Sequence, residues 1–379
     1  MRNLKKTIVV LKNILVLFLR KIKLKHFLFF RNFAKYSTFL LMKKIFLLFL
    51  SIFYIGILFS QNTQKAVIAF YNVENLFDTI NDPNKNDEEF LPEGSYQWTG
   101  ERYSRKLHNL AQVISLIGKE EGCPVVLGVS EIENATVLQD LTQQPELLPY
   151  KFKVAHHDSP DLRGVDVAFI YQSERFEMLT LNAHRLVIPE KPYFITRDQV
   201  VLTGILDNTD TMNFIVNHWP SKRGGEARSL PLRIAAAQLT RSIVDSLFAI
   251  NPNANIVIMG DFNDNPNAKS FSQALKPVNK IKDVKPGDIF NPMAALYQKG
   301  LGSYAYQDSW DMLDQIIISA NLVLAPQNNY KYALTQIFSK KFMFTKTGSF
   351  AGYPFRTYAA GTYQGGYSDH LPVYIVLEK

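Results

Sequence analysis

The sequence predicts an α/β fold of two packed mixed β-sheets flanked by helices, a four-layer sandwich. Two observations predict it. Short runs rich in Val, Ile and aromatic residues recur between residues 66 and 378, several apolar at nearly every position, as strands covered on both faces are. Between them lie helical patterns with apolar residues three and four apart, but without the strict strand–helix alternation of a single parallel sheet.

The chain begins with a leader of different composition. Residues 1–60 hold twelve Lys or Arg and no acid, and the first acidic residue is Glu74. The charge of +8 on the whole chain therefore belongs to the leader. Residues 61–379 carry 30 basic and 34 acidic side chains, a net of −4, so a basic nucleic-acid groove cannot be inferred from total charge. The stretch MKKIFLLFLSIFYIGILFSQ (42–61) has a Met, two lysines, an apolar run of about fifteen residues and then small or polar residues. It predicts a signal peptide over 42–60, cleaved after Ser60. Its apolar run is short for a membrane span, although an anchor is the alternative. Residues 1–41 read as an upstream extension absent from the mature protein, and 65–379 as one catalytic domain. Export to a bacterial periplasm, outer surface or exterior is expected. The single Cys123 precludes an intrachain disulfide and, beside a strand, is expected to be a small buried hydrophobe rather than a catalytic thiol.

In chain order, strands are expected at 66–72 (AVIAFYN), 124–130 (PVVLGVS), 165–171 (VDVAFIY), 200–206 (VVLTGIL), 212–218 (MNFIVNH), 255–260 (NIVIMG), 315–319 (QIIIS) and 372–378 (PVYIVLE). One helix is expected over 102–118, where Leu107, Leu110, Ala111, Ile114 and Ile117 form a stripe. A second is expected over 232–248, on Ile234, Ala237, Leu239, Ile243, Val244 and Leu247. Loops at 79–101, 219–230 and 345–367 are rich in Gly, Pro and aromatic residues, and loops so long are uncommon without a role.

The polar residues collect at strand ends. Asn72 and Glu74 end one run, Glu131 and Glu133 another, His218 a third, and Asp261 and Asn263 a fourth; Asp314 begins a strand, and Asp369 and His370 precede the last. In antiparallel neighbours the start of one strand lies beside the end of the next, so these groups can share one edge. Carboxylates gathered there repel each other strongly, and a hard divalent cation resolves the conflict. Oxygen donors without thiolate favour Mg²⁺, Mn²⁺ or Ca²⁺ over zinc, and histidines beside such a site suit proton transfer or phosphate binding. The combination matches metal-assisted phosphodiester hydrolysis.

FYNVEN, LGVSEIEN, VNHWPSK, GDFND, LDQIII and YSDHLPV occur in the order found in the endonuclease/exonuclease/phosphatase superfamily, which the chain resembles over about residues 65–378. That superfamily includes DNase I-like nucleases, abasic-site endonucleases, sphingomyelinases and inositol phosphatases. The resemblance implies the DNase I-like sandwich and a Mg²⁺ cofactor, with Mn²⁺ or Ca²⁺ as alternatives. Glu131 resembles the principal metal ligand, with Asn72 and Asp369 completing or orienting that site. Asp261 resembles the residue that positions or deprotonates the attacking water, and Asn263 its companion. His370 resembles the histidine that contacts the scissile phosphate, held by Asp314. His218 resembles the second histidine, which stabilises the pentacovalent state or protonates the leaving oxygen. In HHDSPDLRGVDVAF, Asp161 is the candidate for a carboxylate supporting His218, and Arg163 for a phosphate contact.

Other polar residues have plainer explanations. Asp264, Asn265 and Pro266 suit a turn after the strand. Glu133 suits a solvated neighbour of Glu131, and Glu74 a helix-start or turn carboxylate. His156 and His157 are adjacent on a strand and point to opposite faces, which argues against joint ligation. Lys222 and Arg223, in the basic loop SKRGGEAR, are candidates for flanking phosphates. Arg356, among tyrosines in YPFRTYAAGTYQGGY, is the candidate in a base-stacking or substrate-gating loop. Nucleic acid is the expected substrate of a secreted endonuclease. The acidic body keeps a phospholipid or small phosphodiester as the alternative. A non-catalytic surface binding protein would have lost some of the polar positions, and all are present. No protein partner is implied, and a monomer is expected.

Overall fold

All eight expected apolar runs form strands, and the alternation of their side chains builds the layers. The structure is a computed structural model that describes Phe46, residues 64–326 and residues 328–379. The expected upstream extension and, apart from Phe46, the expected signal peptide lie outside the described residues. Among those described, no helix is long and apolar enough to cross a membrane.

The strands are β1 (Lys65–Leu76), β2 (Pro124–Ile132), β3 (Phe152–His156), β4 (Asp166–Gln172), β5 (Phe176–His184), β6 (Gln199–Leu206), β7 (Asp210–His218) and β8 (Asn255–Asp261). They continue with β9 (Ile289–Phe290), β10 (Tyr304–Tyr306), β11 (Ser309–Asp311), β12 (Asp314–Ser319), β13 (Lys331–Ile337), β14 (Tyr358–Ala359), β15 (Thr362–Tyr363) and β16 (Val373–Glu378). The helices are α1 (Gly100–Ile114), α2 (Ala135–Thr142), α3 (Glu226–Ile250), α4 (Met293–Tyr297) and α5 (Ala320–Leu324). One six-stranded sheet runs β13-β16-β1-β2-β4-β3 and the other β5-β6-β7-β8-β12-β9. Both are mixed: β1 pairs parallel with β2, and β7 parallel with β8, while their other partners are antiparallel.

Successive residues of a strand point to opposite faces, and here each face has its own apolar partner. Ala66, Ile68 and Phe70 of β1 pack against Phe214, Val216, Met259 and Ile316 of the other sheet. Val67, Ala69 and Tyr71, one step along, pack against Leu110 and Ile114 of α1 and Leu138 of α2. On the far side, Ile215, Ile258 and Ile317 meet Ala237, Ile243 and Val244 of α3. Each such buried side chain contributes about 1.5–3 kcal/mol, enough to fix the register of every central strand. Gly128 marks the closest approach of the sheets, because a Cβ there would lie 2.5 Å from Met259 Sδ.

The sequence pattern missed β3, β5 and β13, together with the two- and three-residue strands β9, β10, β11, β14 and β15. β5 and β13 are exposed or half-buried edge strands; Met178 and Leu179 of β5 are exposed, so no inward-outward alternation is imposed on them. α1 starts two residues before the expected position because the Thr99 side chain accepts the Arg102 N–H as a cap. α3 starts at Glu226, which shortens the loop expected at 219–230.

The start of α3 also corrects the simple turn expected at Asp264. Arg233, fully buried on α3, has Nε 2.8 Å from Asp264 Oδ2 and donates to Ser229 and Glu226. Asp264 also accepts from Ser270 Oγ at 2.6 Å. Asn265 likewise does more than turn the chain, donating to Asp311 and accepting the Met312 N–H. Arg233→Ala strands a buried carboxylate and should destabilise the protein by about 3–5 kcal/mol. Urea denaturation checks this; combining Arg233→Met with Asp264→Asn should recover much of the loss.

Candidate active site

Strand register assembles the site. On β8, Asp261 stands opposite His218 of parallel β7 and opposite Asp314 of antiparallel β12. In the other sheet Asn72 of β1 stands opposite Ser130, one residue before Glu131. Asp369 and His370 lie just before β16, and His370 is bridged to Tyr304. Asn72 joins the two sheets: its Nδ2 lies 3.2 Å from Glu131 Oε1 and 3.1 Å from Asp261 Oδ2. Its Oδ1 accepts the Glu74 N–H at 3.0 Å, which fixes the amide with nitrogen toward the carboxylates. Asn72 thus lies between the two acids, one from each sheet, with its amide nitrogen toward both.

The stretch GDFNDNP sends successive side chains to different places. Gly260 allows β7 to approach, since a Cβ would lie 2.3 Å from the Asn217 carbonyl oxygen. Asp261 faces the site. Phe262 turns outward and packs edge-on to Trp219 with ring centroids 4.7 Å apart. Asn263, at φ 51°, donates its N–H to Asp261 Oδ1 (2.9 Å) and its side-chain N–H to the Trp219 carbonyl (3.0 Å). Asp264 anchors α3, as above. One strand end therefore serves the site and the outer core by turns.

Glu131 is placed by a bulge. β2 shifts register against β4 between Ser130 and Ile132, and Glu131 adopts φ 62°, a left-handed conformation that costs an ordinary residue about 1–2 kcal/mol. The bulge delivers its carboxylate to the Asn75 N–H (3.1 Å) as well as to Asn72.

The two histidines sit in opposite electrostatic surroundings. His370 Nδ1 donates to Asp314 Oδ2 at 2.7 Å, leaving Nε2 toward the site, 3.9 Å from both Asp261 and Asp369. Burial alone would lower its pKa, but Asp314, Asp369 and Asp261 outweigh burial and hold it well above the ordinary value. His218 is held well below the ordinary value, first by burial and then by the charges of Arg197, Arg163 and His370. Its Nε2 lies 3.6 Å from Asp261 and 3.8 Å from Glu131. Burial pushes the Asp261 carboxyl up to about 7, with His370 opposing and Asp314 reinforcing the rise. Asp369 is also raised by burial, which the charge of His370 opposes and that of Glu131 reinforces.

These residues suit a divalent metal. Glu131, His218 and Asp261 each bring a donor atom within 4.8 Å of the others, as do Asp261, Asp314 and His370. Asp314 Oδ1 and His218 Nδ1 are buried without hydrogen-bond partners among the described residues. Carboxylate oxygens dominate and no thiolate is near, which is the donor set of a hard cation.

Three other expected positions, Asp161, Glu74 and Glu133, are corrected. Asp161 does not support His218: it accepts from Arg197 at 3.3 Å and from the Arg163 N–H at 3.0 Å, because the loop folds it toward these cations. Glu74 starts no helix; at the end of β1 it accepts the Thr357 N–H at 2.6 Å and faces buried Lys106 at 3.7 Å. Glu133 is not solvated but buried, accepting the Asp78 N–H, and burial pushes its carboxyl up to about 8. As expected, His156 and His157 do not act jointly: they contact Asp166 and Asp198 separately. Cys123 is buried, and burial pushes its thiol up to about 12.

Arg163, Lys222 and Arg223 line the cleft over Asp261 and His370, which has a volume of about 420 Å³. Arg356 lies near enough to Asp369 and Tyr304 to influence both. Sequence reasoning missed three residues here. Arg197 is buried beside His218 and donates to the Trp219 carbonyl at 3.0 Å, Tyr304 lies 4.8 Å from the His370 ring, and Lys106 is buried behind Glu74. A charged pair two residues ahead of an apolar run, as in TRDQVVLTGIL, was the available clue to Arg197.

A four-layer sandwich with buried acids and two histidines at its shared sheet edge defines a hydrolase of phosphoric esters. The chain belongs to the Endonuclease/Exonuclease/phosphatase family, whose sequence model matches residues 67–379. No curated protein sequence matches it. In structure it is similar to D. rerio TDP2 complexed with a single-strand DNA product (12% identity, TM-score 0.51, covering 83% of this chain and 99% of that one). It is also similar to C. elegans TDP2 (12% identity, TM-score 0.50, 85% and 78%) and to a Bacteroides thetaiotaomicron mannosyl-6-phosphatase (15% identity, TM-score 0.49, 82% and 99%). At these identities the likeness shows the fold alone.

Asp261 makes stability depend on pH. An unfolded carboxyl titrates near about 3.9. With a folded value of about 7, the metal-free native state holds a proton that the unfolded chain has lost between these values. Stability then falls as pH rises through that window. Asp261→Asn removes this contribution, so in EDTA the variant should gain stability relative to the wild type from about pH 4 to 7. Urea denaturation across the window checks it; a constant difference would remove Asp261 as the source.

Proposed function

We propose that the chain is an exported, Mg²⁺-dependent phosphodiester hydrolase. The observation that carries the catalytic part is the alignment of His218, Asp261 and Asp314 across three neighbouring strands, with Glu131 joined to Asp261 through Asn72. Glu131 and Asp369 would hold the cation, with Asn72 orienting the site. When bound, the cation neutralises phosphate charge and acidifies water. Asp261 accepts a proton from the attacking water as its oxygen bonds to phosphorus. His370, kept cationic by Asp314, sits against the phosphate oxygens, and neutral His218 donates a hydrogen bond from Nε2 to the crowded phosphorus centre. The ester P–O bond breaks, and the proton taken by Asp261 returns through solvent to the departing alcohol oxygen.

Nucleic acid is the substrate expected from the sequence, and the flank of Arg163, Arg197, Lys222 and Arg223 supports a contact to a phosphate beside the scissile one. A second possibility, a small phosphoester, is favoured by how these cations are paired. Arg163 and Arg197 share Asp161, and Lys222 faces Glu226 at 3.5 Å, so the flank has less charge than a polyanion track needs.

EDTA should abolish turnover and Mg²⁺ or Mn²⁺ should restore it, with zinc a poor substitute. Glu131→Gln should weaken Mn²⁺ binding by calorimetry without unfolding the protein, and Asp261→Asn should lower kcat by ~10³ or more. Full activity in excess chelator would sink the mechanism. Export rests on the composition of residues 42–60. Expressed from Met42, the chain should leave the cytoplasm and begin near Gln61, as N-terminal sequencing would read; retention of 42–60 would indicate an anchor.

A further inference from the structure

A second, smaller pocket of about 210 Å³ lies beside the catalytic acids, bounded by Glu74, Asn75, Phe90, Tyr96, Thr357 and Tyr358. It shares the end of β1 with the site, since the Asn75 N–H that bounds it holds Glu131 Oε2 at 3.1 Å. We propose that this pocket binds the hydroxyl-bearing ring of the alcohol whose phosphate ester is cleaved. The proposal rests on the phosphoester-hydrolase reading above and names the substrate class for it.

The pocket is a built one. Its 353–367 wall is fixed by the Thr357 N–H on Glu74 (2.6 Å) and by Lys106 Nζ on Thr357 Oγ1 (2.6 Å) and the Tyr367 carbonyl (2.7 Å). Asn109 donates to the carbonyls of Gly365 (3.1 Å) and Gly366 (2.7 Å), and Tyr358 OH closes onto the Tyr96 carbonyl at 2.8 Å. Such fixing is what a binding site requires of its walls.

Its chemistry selects hydroxyl groups. Glu74 is 8% exposed, and only its Oε2 is engaged; among the described residues nothing donates to Oε1. The Asn75 side-chain amide likewise has no protein partner among them. A carboxylate acceptor beside an amide that both donates and accepts is matched by adjacent hydroxyls, each a donor and an acceptor. No lysine or arginine lines the pocket, so it suits a neutral hydroxylated group better than a second phosphate. The aromatic rings do not form a slot for a nucleobase. Phe90 is stacked on Phe77 at 4.2 Å, and Tyr96 lies between Phe90 (4.9 Å) and Tyr358 (4.6 Å), so their faces are largely spent on each other. Their edges carry the partial positive charge that suits hydroxyl oxygens. The volume equals about seven waters' share of the liquid, room for one substituted ring. A free sugar phosphate and the ribose of a nucleotide both supply that chemistry.

The test compares kcat/KM of the purified chain with Mn²⁺ on two substrate pairs: a hexose 6-phosphate against cyclohexylmethyl phosphate, and a ribodinucleotide against its 2′-deoxy counterpart. At least one hydroxylated member should be preferred by about 10²-fold, because buried polar groups reject an analogue that leaves them unpaired. Preference in the first pair identifies a sugar phosphate, and in the second a nucleotide. Asn75→Gly suits the local φ of 50° and keeps the N–H on Glu131 while removing the amide, so the preference should fall about tenfold. Equal rates within both pairs, or a full preference surviving Asn75→Gly, would overturn the pocket assignment. In those outcomes metal-dependent turnover of an aryl phosphate leaves the hydrolase reading intact. Failure to hydrolyse any of these esters with metal would remove that reading and the pocket with it.

Discussion

Bringing Glu131, Asp261, Asp314 and Asp369 to one buried sheet edge sets carboxylates against each other where little water screens them. The surrounding structure offsets that repulsion piece by piece. Asp314 is matched to His370, and the Asn72 amide lies between Glu131 and Asp261. Buried Lys106 stands behind Glu74, and buried Arg197 stands beside His218. The repulsion left over is what a divalent cation would neutralise; burial first, and that repulsion after it, raise the values of Asp261 and Asp369.

The frame must be stiff for this to persist. Each contributing strand is locked by apolar residues on both faces, so a slip of one position would move the whole set of charges away from the edge. Local conformations that are costly alone are concentrated here: Glu74, Asn75, Glu131 and Asn263 all have positive φ. Each of the four has either its side chain or its N–H held by a hydrogen bond to a partner in the site or in an adjoining loop. The same frame carries both flanks. The cations around Asp161 line the cleft with the acids, and the aromatic pocket meets those acids through Asn75, whose N–H holds Glu131.

Much of this was legible in the sequence. Strands buried on both faces write themselves as continuous apolar runs, so eight of them could be located, and a polar residue that interrupts such a run at its end is conspicuous. That is why His218, Asp261, Asp314 and His370 could be named, together with their common edge. Periodicity could not reveal β5, whose exposed face imposes no pattern, nor the start of α3, which a buried ion pair fixes.

What only the tertiary structure decided is the partnership of charged side chains. Asp161 and His218 lie on segments whose relative placement no local pattern encodes, and folding gives Asp161 to Arg197 instead. Glu74 and Glu133 look like surface carboxylates because their own neighbours in sequence are polar; Thr357 and Lys106, far along the chain, bury one, while the fold around Asp78 buries the other. A residue's type and spacing in sequence determine which face it takes. Which charge it meets there depends on contacts between distant segments, and electrostatic energy is set by that distance and burial rather than by sequence.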